Sequence, residues 1–416
     1  MNSQKFLDGK KILITSYSYA SFGGAELNSV ELAEQLVQFG AQPYFFSYDI
    51  DGPLAKYINE KFSTEVLTDN AYYLAESEEE LKNTQLNIGD YDYIWVGANT
   101  IPLSIIKQIN SSNDLPKFIF IHMSPLIAFP LDAPLLPELE KKIASKILSI
   151  GEKTTTDCIY RILGEDIPLE KWYNPAPREF KLLKKRSGKL KKIAVISSNY
   201  PSDEILNIKD EIVKHGIEID YIGKFNDNLQ IVDAKFYDKY DLIIGIGKNA
   251  KYSLVSGVPI YVYGRFGGGG YLNKNNYDTN NEMNFSGRGF SKKPPGEIAN
   301  EIITSYQRSL EFHEKNRDKF IQEFSLDVVA ERLFRELEIE KPKKTEFSNE
   351  YINWLVSMQI NIIQRLQTTS AVRNAESKVR NLEVILSARN IELFDIYHSK
   401  SWKITKPLRA IKKIIK

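Results

Sequence analysis

The 416-residue chain has little cysteine, little histidine and almost no net charge. Its single cysteine, Cys158, excludes an internal disulfide bond and fits a reducing compartment. Four scattered histidines form no cluster with the spacing of a transition-metal site. A net charge of +1 creates no overall field that would recruit nucleic acid. We therefore expect a protein that binds no metal and has no nucleic-acid partner.

Long hydrophobic runs are also missing. The most apolar window, residues 118–137, contains His122, Asp132 and several prolines, which makes a membrane span a poor interpretation. The first residues include no apolar core long enough for a signal peptide. Hydrophobic residues make up 42% and charged residues 26% of the chain, as in ordinary soluble proteins. We expect a cytoplasmic protein of two to three domains.

Two common phosphate-binding motifs are absent. The first predicted strand, residues 10–16, is followed by a loop with only Gly23 and Gly24, where a dinucleotide-binding domain would place G-x-G-x-x-G. The P-loop pattern G-x-x-x-x-G-K-[ST] is missing as well. A Rossmann dehydrogenase and a P-loop NTPase are therefore weak interpretations.

What is present is an alternation of apolar strands and amphipathic helices in two similar halves. YDYIWVGAN, residues 91–99, resembles YDLIIGIGKN, residues 240–249, and both contain a short fully apolar strand. Such strands are typical of parallel sheets covered on both faces. Residues 172–192 contain two prolines and a basic run, and we interpret them as a linker between two doubly wound domains. Asp90 and Asp92 have the spacing of a metal-binding D-x-D motif. Tyr-Asp also precedes the corresponding strand of the second half, at residues 240–241, which indicates a structural role.

The C-terminal third is helical in pattern. The residues at spacings of three and four are Val372, Ala375, Val379, Leu382, Leu386, Arg389 and Leu393. This heptad predicts a coiled coil or, equally well, a long helix folded onto the main body. Residues 402–416 then mix six basic residues with apolar ones. Such a segment docks to anionic lipid surfaces, or else is a solvated cationic end.

The stretch YGRFGGGGYL, residues 263–272, places four glycines directly after a predicted strand. Ordering four glycines is costly, so the stretch is either a flexible turn or a backbone that approaches a ligand closely. The preceding predicted strand is followed by Gly245 and Gly247, and a predicted helix begins there with Lys248 and Lys251. Both elements belong to the carboxyl edge of one sheet, where doubly wound folds bind ligands. A phosphate-bearing ligand explains the glycines and the lysines together, whereas a flexible turn explains only the glycines.

These segments resemble those of bacterial polysaccharide glycosyltransferases of the GT-B fold. The resemblance rests on GGAE after the first strand, SNYPSDEI, GIGKNAKYSLVSGVPIYVYGRFGGGGYL and NFSGRGF, with SKSWKITKPLRAIKKI at the end. It implies an α/β fold of two Rossmann-like domains that face a cleft. Residues 1–180 would bind the acceptor, residues 189–308 the nucleotide-sugar donor, residues 309–340 would be helices that cross back, and residues 341–416 a helical or coiled-coil tail.

The resemblance implies a metal-independent glycosyltransferase without a cofactor. It would move a sugar from a nucleotide diphosphate to a growing, lipid-linked surface glycan. His122 would face the transferred sugar, although a lone histidine is more often structural. His122 and Lys248 are the catalytic candidates. The donor-site candidates are Gly23, Gly24, Ser198, Asn199, Gly247, Lys248, Asn249, Tyr252, Phe266, Gly267, Gly268, Gly269, Gly270, Tyr271 and Arg288.

One departure favours a rival interpretation. Many retaining enzymes of this fold carry two glutamates eight positions apart, and the corresponding residues here are Ile244 and Tyr252. Tyr252 either contacts the donor or is a half-buried helix residue. The rival is a non-catalytic scaffold that binds a partner transferase or a glycan. The expected partners of the enzyme are a nucleotide sugar, a glycan acceptor, an anionic membrane and, through the heptad helix, a second copy. We expect it at the inner face of the cell membrane.

Overall fold

The computed structural model describes most of the chain, namely residues 5–20, 24–50, 52–69, 86–112, 114–125, 133–183, 188–197, 201–223 and 232–398. Two mostly parallel sheets form the centre of the described residues. Each sheet is covered by helices, which confirms the predicted α/β architecture with two Rossmann-like domains.

The first sheet has the strand order β2-β1-β3-β4-β5-β6, and all its described pairings are parallel. Its strands are almost entirely buried, since helices cover both faces. The strands are β1 (Lys11–Ser18), β2 (Gln42–Asp49), β3 (Tyr93–Gly97), β4 (Lys117–His122), β5 (Ala144–Ser149) and β6 (Leu169–Lys171).

The second sheet has the order β11-β10-β9-β7-β8. Four strands are parallel, and the edge strand β11 runs antiparallel to β10. The strands are β7 (Lys192–Ile196), β8 (Glu218–Ile222), β9 (Leu242–Gly245), β10 (Ile260–Gly264) and β11 (Gly267–Tyr271).

The helices connect these strands or pack on their faces. A short 3-10 turn at Ile88–Asp90 precedes β3. The described α-helices are α1 (Gly24–Gln38), α2 (Pro53–Phe62), α3 (Leu103–Gln108), α4 (Pro137–Ile143), α5 (Lys153–Leu163), α6 (Arg178–Lys181), α7 (Asp203–Leu206), α8 (Lys209–Lys214), α9 (Ala234–Tyr237), α10 (Lys248–Ser256), α11 (Tyr277–Glu282), α12 (Pro295–Phe324), α13 (Leu326–Ile339) and α14 (Asn349–His398).

The chain passes between the two sheets at two points that touch each other. Ala176, in the predicted linker, exchanges backbone hydrogen bonds with the junction between α12 and α13, where Ser325 ends the first helix. Helix α12 packs on the second sheet, while α13 contributes Phe334 and other residues to the core of the first sheet. The start of the predicted linker packs against the first sheet, because Trp172 is buried and the centre of its ring lies 5.2 Å from that of Trp95.

The chain divides into two compact units, Met1–Val356 and Ser357–Lys416. The first unit extends past the predicted tail boundary at residue 341, since Phe347, Ile352 and Leu355 are buried. The predicted basic segment 402–416 lies outside the described residues. None of the described helices combines the length and the apolar character needed to cross a bilayer.

Candidate functional site

The carboxyl ends of the two parallel sheets face each other across a contact between the domains. Lys248 begins α10 after β9 of the second sheet, and its Nζ lies 2.7 Å from Oε2 of Glu31 on α1. Arg288, in the segment after α11, places Nη1 3.1 Å from Oε1 of Glu152, which follows β5 of the first sheet. Two ion pairs thus join the edges where ligands of doubly wound sheets bind.

Gly247 is the N-cap residue of helix α10, at the carboxyl edge of the second sheet. Gly247 has φ of 60° and ψ of −117°, a conformation that favours glycine. Its N–H donates to the carbonyl of Phe285 at 2.9 Å, which ties the helix start to the segment after α11. Asn249 lies in the first turn, and the Tyr237 hydroxyl donates to its backbone carbonyl at 3.0 Å. The positive end of the α10 dipole is therefore fixed at the cleft, beside Lys248.

The Glu31 carboxylate binds two of the predicted donor-site residues at once. One oxygen accepts the Lys248 ion pair, and the other accepts a hydrogen bond from the Tyr252 hydroxyl. The Glu31 and Lys248 side chains keep only 14% and 16% of their exposure. Burial raises the pKa of the Glu31 carboxyl, and attraction by Lys248 opposes that shift. The pair is thus a partly desolvated ion pair, in which each side chain neutralises the charge of the other.

Tyr252 is buried in this contact. Its ring stacks on Phe180 with centroids 4.2 Å apart, and burial raises the pKa of its hydroxyl well above the ordinary value. The structure shows a buried helix residue whose hydroxyl donates to Glu31 of the first domain, while contact of Tyr252 with a donor stays a prediction.

The glycine run has a different cause from the one expected. Gly267–Gly270 form β11, which pairs back along β10 and runs away from the carboxyl edge. A Cβ on Gly268 would lie 2.0 Å from the carbonyl oxygen of Val262. A Cβ on Gly269 would lie 2.8 Å from Asn280 Nδ2 and 3.1 Å from the Phe290 ring. Close packing inside the domain therefore requires glycine at these positions, and only Gly267 starts near the edge.

Tyr271 shares this outcome, because it lies at the far end of β11. Its hydroxyl donates to the carbonyl of Ile302 on α12 at 3.0 Å, and the side chain is buried. The structure therefore places Tyr271 in the domain core, away from the expected donor site.

The turn between β10 and β11 does reach the carboxyl edge. Phe266 is 41% exposed, and the guanidinium groups of Arg265 and Arg288 lie 4.5 Å and 4.6 Å from the centre of its ring. Cations stacked on an aromatic face in this way keep their charge available at their edges. This turn therefore adds one further cation, Arg265, near the Arg288–Glu152 pair.

Two residues expected at the ligand site, His122 and Lys251, are buried. His122 Nε2 lies 2.9 Å from Glu140 Oε2 on α4, and both side chains are at most 1% exposed. The structure places His122 in a buried pair with Glu140, and its predicted contact with the transferred sugar stays a prediction. Lys251 is also fully buried, hydrogen-bonded to Asn284 and 5.0 Å from the centre of the Phe285 ring. Burial lowers the pKa of the Lys251 amine to about 7.

The remaining candidates separate into described and undescribed residues. Gly24 begins α1 and is exposed. Gly23, Ser198 and Asn199 lie outside the described residues. Among the described side chains, no group of three His, Cys, Asp or Glu residues is arranged to hold a metal ion.

Sequence reasoning missed both carboxylates of the cleft. Glu152 follows β5 after two residues, and its place at the carboxyl end of a parallel strand was a signal that could have identified it. Glu31 lies in the middle of α1, where a glutamate is normally solvated. Only the approach of α10 shows what Glu31 does.

No protein-family model matches the chain, and no curated protein matches it by sequence. Several solved structures are similar to it. MurG from Acinetobacter baumannii is 12% identical with a TM-score of 0.41, over 74% of this chain and 95% of that one. The glycosyltransferase SnogD from Streptomyces nogalater is 13% identical with a TM-score of 0.39, over 79% and 100%. An α-glucosyltransferase in complex with UDP-glucose and abasic-site DNA is 10% identical with a TM-score of 0.43, over 79% and 100%.

The architecture itself identifies the fold. Two Rossmann-like domains are joined by two adjacent crossings, their carboxyl edges face each other, and a late helix returns to the first domain. The chain therefore has the GT-B fold.

Proposed function

We propose that the protein is a glycosyltransferase that transfers a sugar from a nucleotide diphosphate to a glycan. The observation that carries the proposal is the group of positive charges at the carboxyl edge of the second sheet. The N-terminus of α10, Lys248, Arg265 and Arg288 come from three separate segments and lie around one cleft. A leaving diphosphate develops negative charge, which fixed cations and helix ends stabilise.

The proposed chemistry assigns a task to each group. The first turn of α10 would bind one phosphate through its backbone N–H groups, with Lys248 beside it. Arg288 would bind the other phosphate, since a guanidinium offers two parallel donors to phosphate oxygens. The acceptor would approach from the first domain, whose strands β1, β4 and β5 end at the same cleft.

In this proposal the ion pairs of the structure belong to the state without donor. Glu31 and Glu152 occupy the cations that the diphosphate would use. Donor binding would exchange these carboxylates for phosphate oxygens, which keeps each cation neutralised throughout. The two domains would then be held together through the donor.

The acceptor and the location belong to the same proposal. Residues 402–416 combine basic and apolar residues as membrane-surface segments do. A lipid-linked glycan acceptor at the inner face of the cell membrane would make such a segment useful. The proposed reaction is a hexosyl-type transfer in polysaccharide assembly, with charge stabilisation by the protein's own cations.

Titration of nucleoside diphosphates into two matched variants tests the donor site. Lys248→Ala should weaken binding and cut turnover, since loss of such a contact costs about 2–4 kcal/mol. Lys192→Ala is the control, because Lys192 begins β7 at the opposite edge of the same sheet and pairs with Glu218 and Asp220. Equal affinity of the two variants in folded protein would remove Lys248 from the site.

A second candidate function is a non-catalytic scaffold. Tyr252 replaces one of the two glutamates that many retaining enzymes of this fold carry. Its hydroxyl donates a hydrogen bond to Glu31 of the first domain, and this observation favours a fixed domain interface. A panel of uridine, guanosine and thymidine diphosphates, tested for thermal stabilisation of the wild type, separates the two functions. Stabilisation by any of them supports the transferase, whereas none supports the scaffold.

A further inference from the structure

Helix α14 exposes an apolar stripe on its second half. Val372, Val379, Leu382 and Leu386 are 51%, 53%, 65% and 61% exposed, although they are large and apolar. Ala375 lies on the same stripe and is exposed too. The spacings of three and four residues put these side chains on one face of the helix. A stripe of this kind on a helix that begins inside a folded unit indicates an interaction surface.

The residue types along the stripe specify how many helices it fits. Val372, Val379 and Leu386 take the a positions of a heptad, while Ala375 and Leu382 take the d positions. Valine at two of the a positions together with leucine at one d position favours two parallel strands. The sequence continues the repeat at Leu393 and Ile396.

Charges beside the stripe specify the direction. Lys378 is at a g position and Glu383 at the e position of the next heptad, and both are exposed. In a parallel, in-register pair, g of one helix lies beside the following e of the other, so that Lys378 meets Glu383 of the second copy twice. In an antiparallel pair, e positions lie beside e positions, and Glu376 and Glu383 would repel their counterparts.

We propose that α14 pairs with α14 of a second copy in a parallel, in-register, two-stranded coiled coil. Arg389 occupies a d position, so the pair brings two positive charges to the seam. A polar residue at one core position fixes the register and lowers stability. The dimer is therefore weak and reversible. Because the two helices are parallel, both copies of residues 402–416 follow the coiled coil at the same end. If the proposed membrane docking holds, the dimer presents two basic segments to one membrane.

Sedimentation velocity of the full-length protein over a concentration series tests the pairing. Leu382→Glu should shift the protein to monomer, whereas Arg389→Leu should strengthen the dimer at least tenfold. Lys378→Glu and Glu383→Lys should each weaken the dimer, and the double variant should restore it. A wild type that stays monomeric at all concentrations, or a dimer that ignores both seam variants, overturns the proposal.

A short bismaleimide cross-linker tests the direction. Leu382→Cys should cross-link to its counterpart only in a parallel, in-register dimer, and wild type is the control because Cys158 is buried. A dimer without this cross-link overturns the parallel arrangement. Nucleoside diphosphate binding by the same variants is measured alongside. These measurements distinguish loss of the dimer with normal donor binding from loss of donor binding with a normal dimer.

Discussion

Replacement of Glu31 by glutamine separates the stability of the cleft from its affinity for a donor. The substitution removes one negative charge and keeps an oxygen that can accept the Tyr252 hydrogen bond. Lys248 is left without its partner at 2.7 Å, in a position where its side chain is only 16% exposed. Breaking a buried ion pair lowers the free energy of unfolding by about 3–5 kcal/mol. Because this pair keeps some exposure, we expect a loss of about 3 kcal/mol. We expect Glu31→Gln to lower the melting temperature.

The same change should strengthen donor binding. In wild type the diphosphate must displace Glu31 from Lys248, whereas in the variant it meets an unpaired cation. If half of the lost pair energy returns on binding, the gain is about 1.4 kcal/mol, which is tenfold in Kd. Isothermal titration with nucleoside diphosphates measures the affinity, and differential scanning calorimetry measures the stability.

Glu34→Gln is the matched control for this experiment. Glu34 lies one turn further along α1 and pairs with Lys61 inside the first domain. It should lower stability by less than about 1 kcal/mol, as expected for a pair nearer the surface, and leave affinity unchanged. Unchanged or weaker binding by Glu31→Gln, with normal binding by the control, would refute the competition between Glu31 and the donor. Absence of binding in all three proteins would refute the donor site itself.

Three further predictions follow from the glycines, the buried lysine and the tail. Gly268→Ala should lower the melting temperature because its Cβ meets the Val262 carbonyl, whereas Gly296→Ala, with open space around it, should not; equal thermal scans would contradict this packing. Burial lowers the pKa of Lys251 to about 7 from 10.5, so the unfolded chain binds more protons above pH 7 and stability rises with pH from there. Lys251→Met should flatten that rise in urea unfolding at pH 7 to 9, and parallel slopes would count against it. Removal of residues 401–416 should abolish sedimentation with anionic liposomes while nucleotide binding persists, since the buried Phe347 stays in place; full-length protein that ignores liposomes at low salt would rule out membrane docking.

Much of the fold could be predicted from local pattern. The apolar strands around Ile94 and Ile243 are buried in parallel sheets, as their uninterrupted hydrophobic runs indicated. Gly247 caps the start of α10 as its place after a strand suggested. These features depend on neighbours in sequence, on strand periodicity and on the few conformations that glycine alone adopts.

The glycine run shows the limit of that reasoning. Four glycines after a strand are compatible with a turn, a ligand contact or a tightly packed strand, because all three need a backbone without Cβ. The structure selects the third, since β11 folds back on β10 and Gly268 meets Val262. A contact between residues distant along the chain decides among conformations that the local sequence leaves equal.

By itself the sequence determined two parallel α/β domains, the cations at the edge of the second sheet and the heptad of α14. Strand and helix periodicity is a local property, and it survives in any arrangement of the domains. Only the tertiary structure decided which charges meet. Glu31 and Lys248 are 217 positions apart, yet their partly buried pair, with Tyr252 beside it, determines whether the α10 cation is free for a ligand. Such a pairing depends on how one domain packs against the other, and no pattern within either segment encodes it.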